Sequence, residues 1–333
     1  MKPLEGGTFT MGRTTLGDDA LYGDTDEDPQ HNVYLDAYQL GKYEETNHQY
    51  CDALNWAQMQ GYLYSDTVGT AWSGSGDIFA GDENSRYPIV GFSSSYCNIQ
   101  YVGGLFVPKT RTGMPEATTY SMAEHPMVMV TWYGVAAFCN WLSQMLGLMR
   151  CYNMSEEFWP LILAPPTPGG YRLPTEAEWE CAAAWDGAKY WIYGFLSDML
   201  TGKGRANYQD VNPDWVNPLG LTAIPYTAPV GWFNGVNISP NGDITTVNSP
   251  SPAGAYDLSG NVWEWCHDLY LETHYSGGYI TNPTEPDTPD TGLSHVIRGS
   301  GWAYEFMTCR SANRMFTSAH GWSHFGGFRL SRS

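Results

Sequence analysis

A chain of 333 residues has room for one large or two ordinary domains, and its 42% hydrophobic content supports a sizeable core. The formal charge of −19 excludes a phosphate-backbone partner such as nucleic acid, which needs a basic footprint, and disfavours adhesion to anionic membranes. Only 15% of residues are charged while Gly, Tyr and Trp are abundant, the profile of a loop-rich globular protein with an aromatic interior. No apolar run approaches the roughly 20 residues of a spanning helix, and no signal peptide is visible, as expected if a precursor's signal has been removed.

In chain order, GGTFTMG (6–12) reads as a short opening strand. An acidic stretch follows (Asp18, Asp19, Asp24, Asp26, Glu27, Asp28), which is expected to be a solvated loop, with cation binding as the alternative. A strand through His31, Val33 and Leu35 comes next. Thr46 and Gln49 make a capping-box pair that opens a helix with Tyr50, Ala53, Leu54 and Ala57 inward. A second helix is expected from Tyr133 to Leu146, with Val135, Phe138, Cys139, Leu142 and Leu146 at helical spacing.

Residues 61–124, rich in Gly, Ser and Tyr, show no long periodic segment and read as an insertion within one domain spanning 1–333. Thr175 and Glu178 form a second capping box, with Trp179 and Ala182 inward. Beyond Gly187 the Gly/Pro/Asn punctuation predicts loops and short strands. Seven cysteines without a CxxC pair leave at least one thiol free, and most are expected to be reduced structural residues.

The C-terminal stretch 298–333 alternates two kinds of residue. Arg298, Gly299, Trp302, Cys309, Arg310, Asn313, Arg314, Gly327, Phe328 and Arg329 punctuate two runs without helical or strand period. The first run is Ala303, Tyr304, Glu305, Phe306, Met307 and Thr308. The second is Met315, Phe316, Thr317, Ser318, Ala319, His320, Gly321, Trp322, Ser323, His324 and Phe325. Aromatics among small polar residues, with Glu305 the only charge, suit an adaptable binding surface.

The strings GGTFTMG (6–12), HNVYLDAYQLGKYEET (31–46), HPMVMVTWYGVAAFCNWL (125–142), GYRLPTEAEWECAA (170–183), GNVWEW (260–265), RGSGW and GFRL resemble, in order, the formylglycine-generating-enzyme family, or sulfatase-modifying-factor domain. The resemblance implies an α+β fold of the C-type-lectin-like kind: a few helices around small antiparallel sheet, with much irregular structure. Active members bind copper through two cysteines five residues apart. Here the second falls on Cys309 but the first falls on Tyr304, and the family's serine falls on Gly301. A single sulfur does not make the soft dithiolate that selects Cu(I), so neither copper nor formylglycine generation is expected. His320 and His324 lack a third ligand, which argues against a metal there.

The resemblance also implies a structural calcium ion, held by the carboxylates of Asp257 and Glu264 and the carbonyls of Gly260 and Val262. The alternative is that GNVWEW only packs, with Glu264 bonded to backbone amides. A second family site would start at Asn207 and Tyr208, but its acidic ligand falls on Thr222.

The ending is similar to the variable proteins of diversity-generating retroelements, above all the Treponema type with this enzyme-like lectin fold. Error-prone copying of AAC codons yields codons for Phe, Tyr, His, Ser, Thr, Ala and Gly, but never Trp, Met, Glu or Lys. Most positions of the two runs fit; Glu305, Met307, Met315 and Trp322 require other template codons. The resemblance implies a non-enzymatic display protein, monomeric and at the cell surface, often as a lipoprotein, that binds a protein or surface ligand. The competing reading is an oxidase or related activating enzyme that has lost one cysteine.

Overall fold

The computed structural model describes residues 1–82, 85–162, 169–209, 216–273, 275, 277–284 and 293–333. Four α-helices occur among them: α1 (Gly17–Tyr22), α2 (Asn47–Met59), α3 (Trp132–Met145) and α4 (Glu176–Ala184). Both capping boxes form. The Thr46 hydroxyl accepts from the Gln49 amide at 3.2 Å while Gln49 accepts from the Thr46 amide at 2.7 Å. Thr175 and Glu178 do the same for α4. Each cap contributes about 1 kcal/mol by satisfying amides that a first turn leaves open. Leu146, expected on the inner face of α3, is instead its exposed C-cap.

The central sheet has four strands in the order Arg314–Ser318, Ser294–Arg298, Trp263–Leu269, Gly326–Gly327, antiparallel except for the last pair. Its register places Trp265, Ile297 and Met315 in one row and Glu264, Arg298 and Arg314 in the next. Because side chains alternate across a sheet, these rows face opposite sides. The Glu264 side packs on α4, where the Trp179 indole donates to Glu264 Oε2 at 2.8 Å. The Trp265 side joins the main core with α2 and α3, and Trp132 spans the gap by donating to the Cys266 carbonyl at 3.1 Å.

The expected opening and second strands are Gly7–Met11 and His31–Leu35, antiparallel partners in a sheet completed by Tyr279–Thr281. Tyr38–Leu40 pairs with Lys2–Leu4 on one side and Ser331–Arg332 on the other, so the first and last strands share a partner. The 61–124 segment forms three two-stranded hairpins, and Trp72, Ile78, Ile89 and Phe106 from it enter the same core as α2 and α3.

The acidic stretch is not a solvated loop. It forms α1 and a 3-10 turn (Thr25–Glu27), and Asp19, Asp26 and Glu27 are buried. Their partners come from the other end of the chain. Arg310 donates to both Glu27 oxygens at 2.7 Å and to Asp19 at 3.0 Å, and Arg314 donates to the Asp26 carbonyl at 2.9 Å. Burial without these cations would be prohibitive, which is why a local reading missed it.

Candidate functional site

The C-terminal frame is buried throughout: all ten punctuating positions from Arg298 to Arg329 are interior. Their arginines are tied to carboxylates on distant elements. Arg298 bonds Glu180 and the carbonyls of Ser311 (2.7 Å) and Ala312 (2.9 Å); Arg314 holds Glu176 at 2.7 and 3.0 Å; Arg329 holds Glu264 at 2.5 and 2.6 Å. Breaking one such buried pair leaves an uncompensated charge and costs about 3–5 kcal/mol.

The runs between them are treated differently. Glu305, Met315, Phe316, Ser318 and His320 are exposed, and the other run positions are half-buried, with one exception. Ala319 is fully buried, its amide donating to the Leu293 carbonyl at 2.8 Å, so it belongs to the core and not to a contact surface. The second run nevertheless begins in a strand, since Arg314–Ser318 is the sheet's edge strand. Phe316 turns to the α4 side and stacks on Tyr270 with centroids 4.4 Å apart, whereas Met315 and Thr317 share the opposite side with Ile297.

Two contacts tie the second run back, one to the frame and one to the first run. The Trp302 indole donates to the His324 carbonyl at 3.1 Å, and Tyr304 meets Phe325 edge-on at 5.0 Å while also leaning on Trp263 at 5.4 Å. Phe306 lies apart, edge-on to Tyr22 at 5.5 Å. His320 sits against Tyr87 and Tyr133, and His324 against Tyr96, so the two histidines occupy separate aromatic settings; burial lowers the pKa of each.

Residues of the 61–124 segment thus complete the surface, and no sequence motif marks them. Tyr87 and Tyr96 supply rings, and Gly91 allows close approach: a Cβ there would lie 2.9 Å from the Trp322 ring. The only available signal was the Gly/Ser/Tyr richness of that segment, the same palette as the runs.

Cys309 is fully buried, 3.9 Å from the Glu305 carbonyl, and burial pushes its thiol up to about 12. It is therefore protonated at neutral pH, whereas a thiolate is the form that binds metal or attacks. With Tyr304 in place of the first cysteine, these residues do not fit copper.

Around GNVWEW, Asp257 Oδ2 accepts from the Gly231 amide at 2.6 Å, from a left-handed backbone (φ 63°). Glu264 is bonded to Arg329 and Trp179, not to the backbone amides of the packing alternative. A residue missed in the sequence joins them: Glu44, fully buried, accepts from the Asn261 side-chain amide through Oε2 at 2.7 Å and leaves Oε1 without a partner. Burial, then Asp257 and Glu264, raise the Glu44 pKa well above normal, and burial holds Asp257 at about 6. Asp257 and Glu264 already spend their oxygens on the Gly231 amide, Arg329 and Trp179, and the three carboxylates do not gather as a metal-type cluster, so a hard divalent cation would have to displace Arg329 to be held there. At the other implied site, Thr222 is exposed with its hydroxyl donating to the Thr112 carbonyl, and Asn207 is buried with Oδ1 unpartnered. Asp24, Asp26 and Glu27 form the only metal-type cluster found among the described residues, but Arg310 and Tyr270 already hold Glu27 and Asp26.

A loop-rich domain with small sheets, a buried frame and a C-terminal aromatic surface is a C-type-lectin-like fold of the formylglycine-generating type. The chain belongs to the sulfatase-modifying factor enzyme 1-like domain family, which matches residues 1–333. It is 26% identical over 319 residues to the formylglycine-generating enzyme of Thermomonospora curvata, covering 93% of this chain and 84% of that protein. It is also 26% identical over 332 residues to the serine/threonine-protein kinase pkn1 of Chlamydia pneumoniae; the match takes in 99% of this chain but only 37% of that protein's length. Among solved structures, Treponema denticola variable protein 1 superposes with a TM-score of 0.56 at 22% identity, covering 100% of this chain and 94% of that one. That likeness establishes the fold. No helix among the described residues is long and apolar enough to cross a membrane.

Proposed function

We propose that this protein is a non-enzymatic display scaffold of a diversity-generating retroelement, its two C-terminal runs forming a ligand-binding surface. The observation that carries the reading is the division of 298–333. Every frame position is buried, and every run position except Ala319 is exposed or half-buried. Such a division lets side chains change without touching the interior. The shared fold of a solved variable protein is consistent with it. In this reading the protein is a monomer at the cell surface, carried there as a lipoprotein, and its partner is a protein or surface ligand, not nucleic acid. Calcium belongs to the scaffold as a brace at Asp257, Glu264 and the carbonyls of Gly260 and Val262, displacing Arg329, with Glu44 beside them; its chemistry there is charge neutralisation.

The family's formylglycine-generating members keep an enzymatic reading in play. One assay separates the two. A cysteine-containing sulfatase peptide, incubated with and without copper, is expected to show no aldehyde by mass spectrometry above background, and turnover would end the display reading. At the DNA level, a nearby near-identical repeat differing only at adenines, beside a reverse-transcriptase gene, is expected. For calcium, chelation is expected to lower the melting temperature, and the absence of both a shift and any metal in elemental analysis would remove it.

A further inference from the structure

Beneath the second run lies a cavity of about 100 Å³ that opens to the surface. Its floor is Val130, Trp265 and Ile297, and its walls include Thr317, Trp322 and Phe325. The one polar group of the floor's indole is already used, since Trp265 Nε1 donates to the Val130 carbonyl at 3.3 Å. No charged side chain lines it. We propose that this cavity is the anchor point of the binding surface, taking one leucine-sized aliphatic side chain that projects from a basic protein partner. The proposal rests on the display reading and names what that surface takes.

Size selects the side chain. An apolar cavity of about 150 Å³ admits benzene, so about two-thirds of that volume is too small for an aromatic ring and too large for a methyl group. Chemistry excludes a charged occupant, because an ion in an apolar cavity without a partner is strongly penalised. The surroundings call for a macromolecule. Trp322, Phe325 and His324 remain half-exposed around the opening, and Met315 is exposed on the same side of the sheet, giving contact area that a small molecule cannot cover. A filled pocket ringed by water-excluding aromatics is how energy concentrates at protein interfaces. Charge selects the partner's sign. At −19, with Glu305 the only charge in either run, the protein attracts a basic surface and repels a second copy of itself.

The test follows the methyl NMR signals of Ile297 and Val130 while acetyl-Lys-Leu-Lys-amide is added to the intact protein. Saturable shifts are expected, with peptides carrying Ala or Phe in the centre weaker by roughly tenfold or more. Glu flanks in place of Lys are expected to weaken binding several-fold at low salt, with the difference shrinking at high salt. Ser323→Leu and Thr317→Leu, each checked for a folded spectrum, fill the cavity and are expected to abolish the shifts. Equal response to the alanine peptide, no preference for Lys flanks, or shifts that persist in both filled variants would overturn the proposal. Failure here with surface substitutions still tolerated sinks the anchor alone. Unfolding by those surface substitutions sinks the display reading itself.

Discussion

The frame and the runs of the C-terminal segment alternate along thirty-odd residues of chain yet are held by opposite physics. The frame is pinned by buried arginines whose partners lie on α1, α4, the 3-10 turn and the central sheet. The runs carry one charge and rest on rings: Tyr304 on Trp263, Phe316 on Tyr270, His320 on Tyr87. Directional, long-range bonds fix where the segment goes. Non-directional contacts at its surface leave open what it presents there. A fold organised this way tolerates change in the second set because stability is concentrated in the first.

The largest effect that sharpens this contrast is expected at Arg310. Arg310→Met removes the cation from Glu27 and Asp19 together, and a loss of about 3–5 kcal/mol in denaturant unfolding is expected. Retained stability would mean that the ion pairs are not the pins.

His125 tests the interior by pH. Burial lowers its pKa to about 3, with Nδ1 3.0 Å from the Thr227 hydroxyl. Above about pH 6.5 the imidazole is neutral whether folded or unfolded. As pH falls below that, the unfolded chain takes up the proton and the folded one does not, so stability is lost, about 3 kcal/mol by pH 4. His125→Gln should flatten that slope relative to the parent protein between pH 6.5 and 4, and an unchanged difference at every pH would refute it.

Smaller again is Gly91→Ala, which pushes Trp322 off its seat because the new Cβ meets the ring at 2.9 Å and the Met129 methyl at 3.0 Å. A cost of about 1–3 kcal/mol is expected, with a change in the methyl spectrum around Ile297. The smallest effects belong to the exposed run positions. Met315→Ser, Ser318→Ala and His320→Ser should each move stability by less than about 0.5 kcal/mol in thermal melts, against about 3–5 kcal/mol for Trp302→Ala. Comparable losses in the two sets would erase the contrast.

The legible parts of this molecule are those with local causes. Thr46 with Gln49, and Thr175 with Glu178, announce α2 and α4 because a capping box is complete within four residues. The Arg314–Ser318 strand was invisible because an edge strand with Met315 and Phe316 both exposed shows no inside–outside alternation. The burial of Asp19, Asp26 and Glu27 was unreadable for another reason: its cause, Arg310 and Arg314, lies at the far end of the chain. At the candidate site, the split between frame and runs could be seen in residue types alone. The contributions of Tyr87, Gly91, Tyr96 and Glu44 could not, since they depend on which hairpin or loop folds over which strand.

The strand Tyr38–Leu40, gripped by Lys2–Leu4 on one edge and Ser331–Arg332 on the other, acts as a clasp. The rest of the second run, Ala319 to Phe325, is a span with an abutment at each end, Arg314–Ser318 before it and Gly326–Gly327 with Ser331–Arg332 after it. A protease that cut the span between Ala319 and Phe325 would leave both stumps bonded into sheets, and the two pieces would travel as one until denatured. A surface carried on such a span survives damage that would detach a free C-terminal tail.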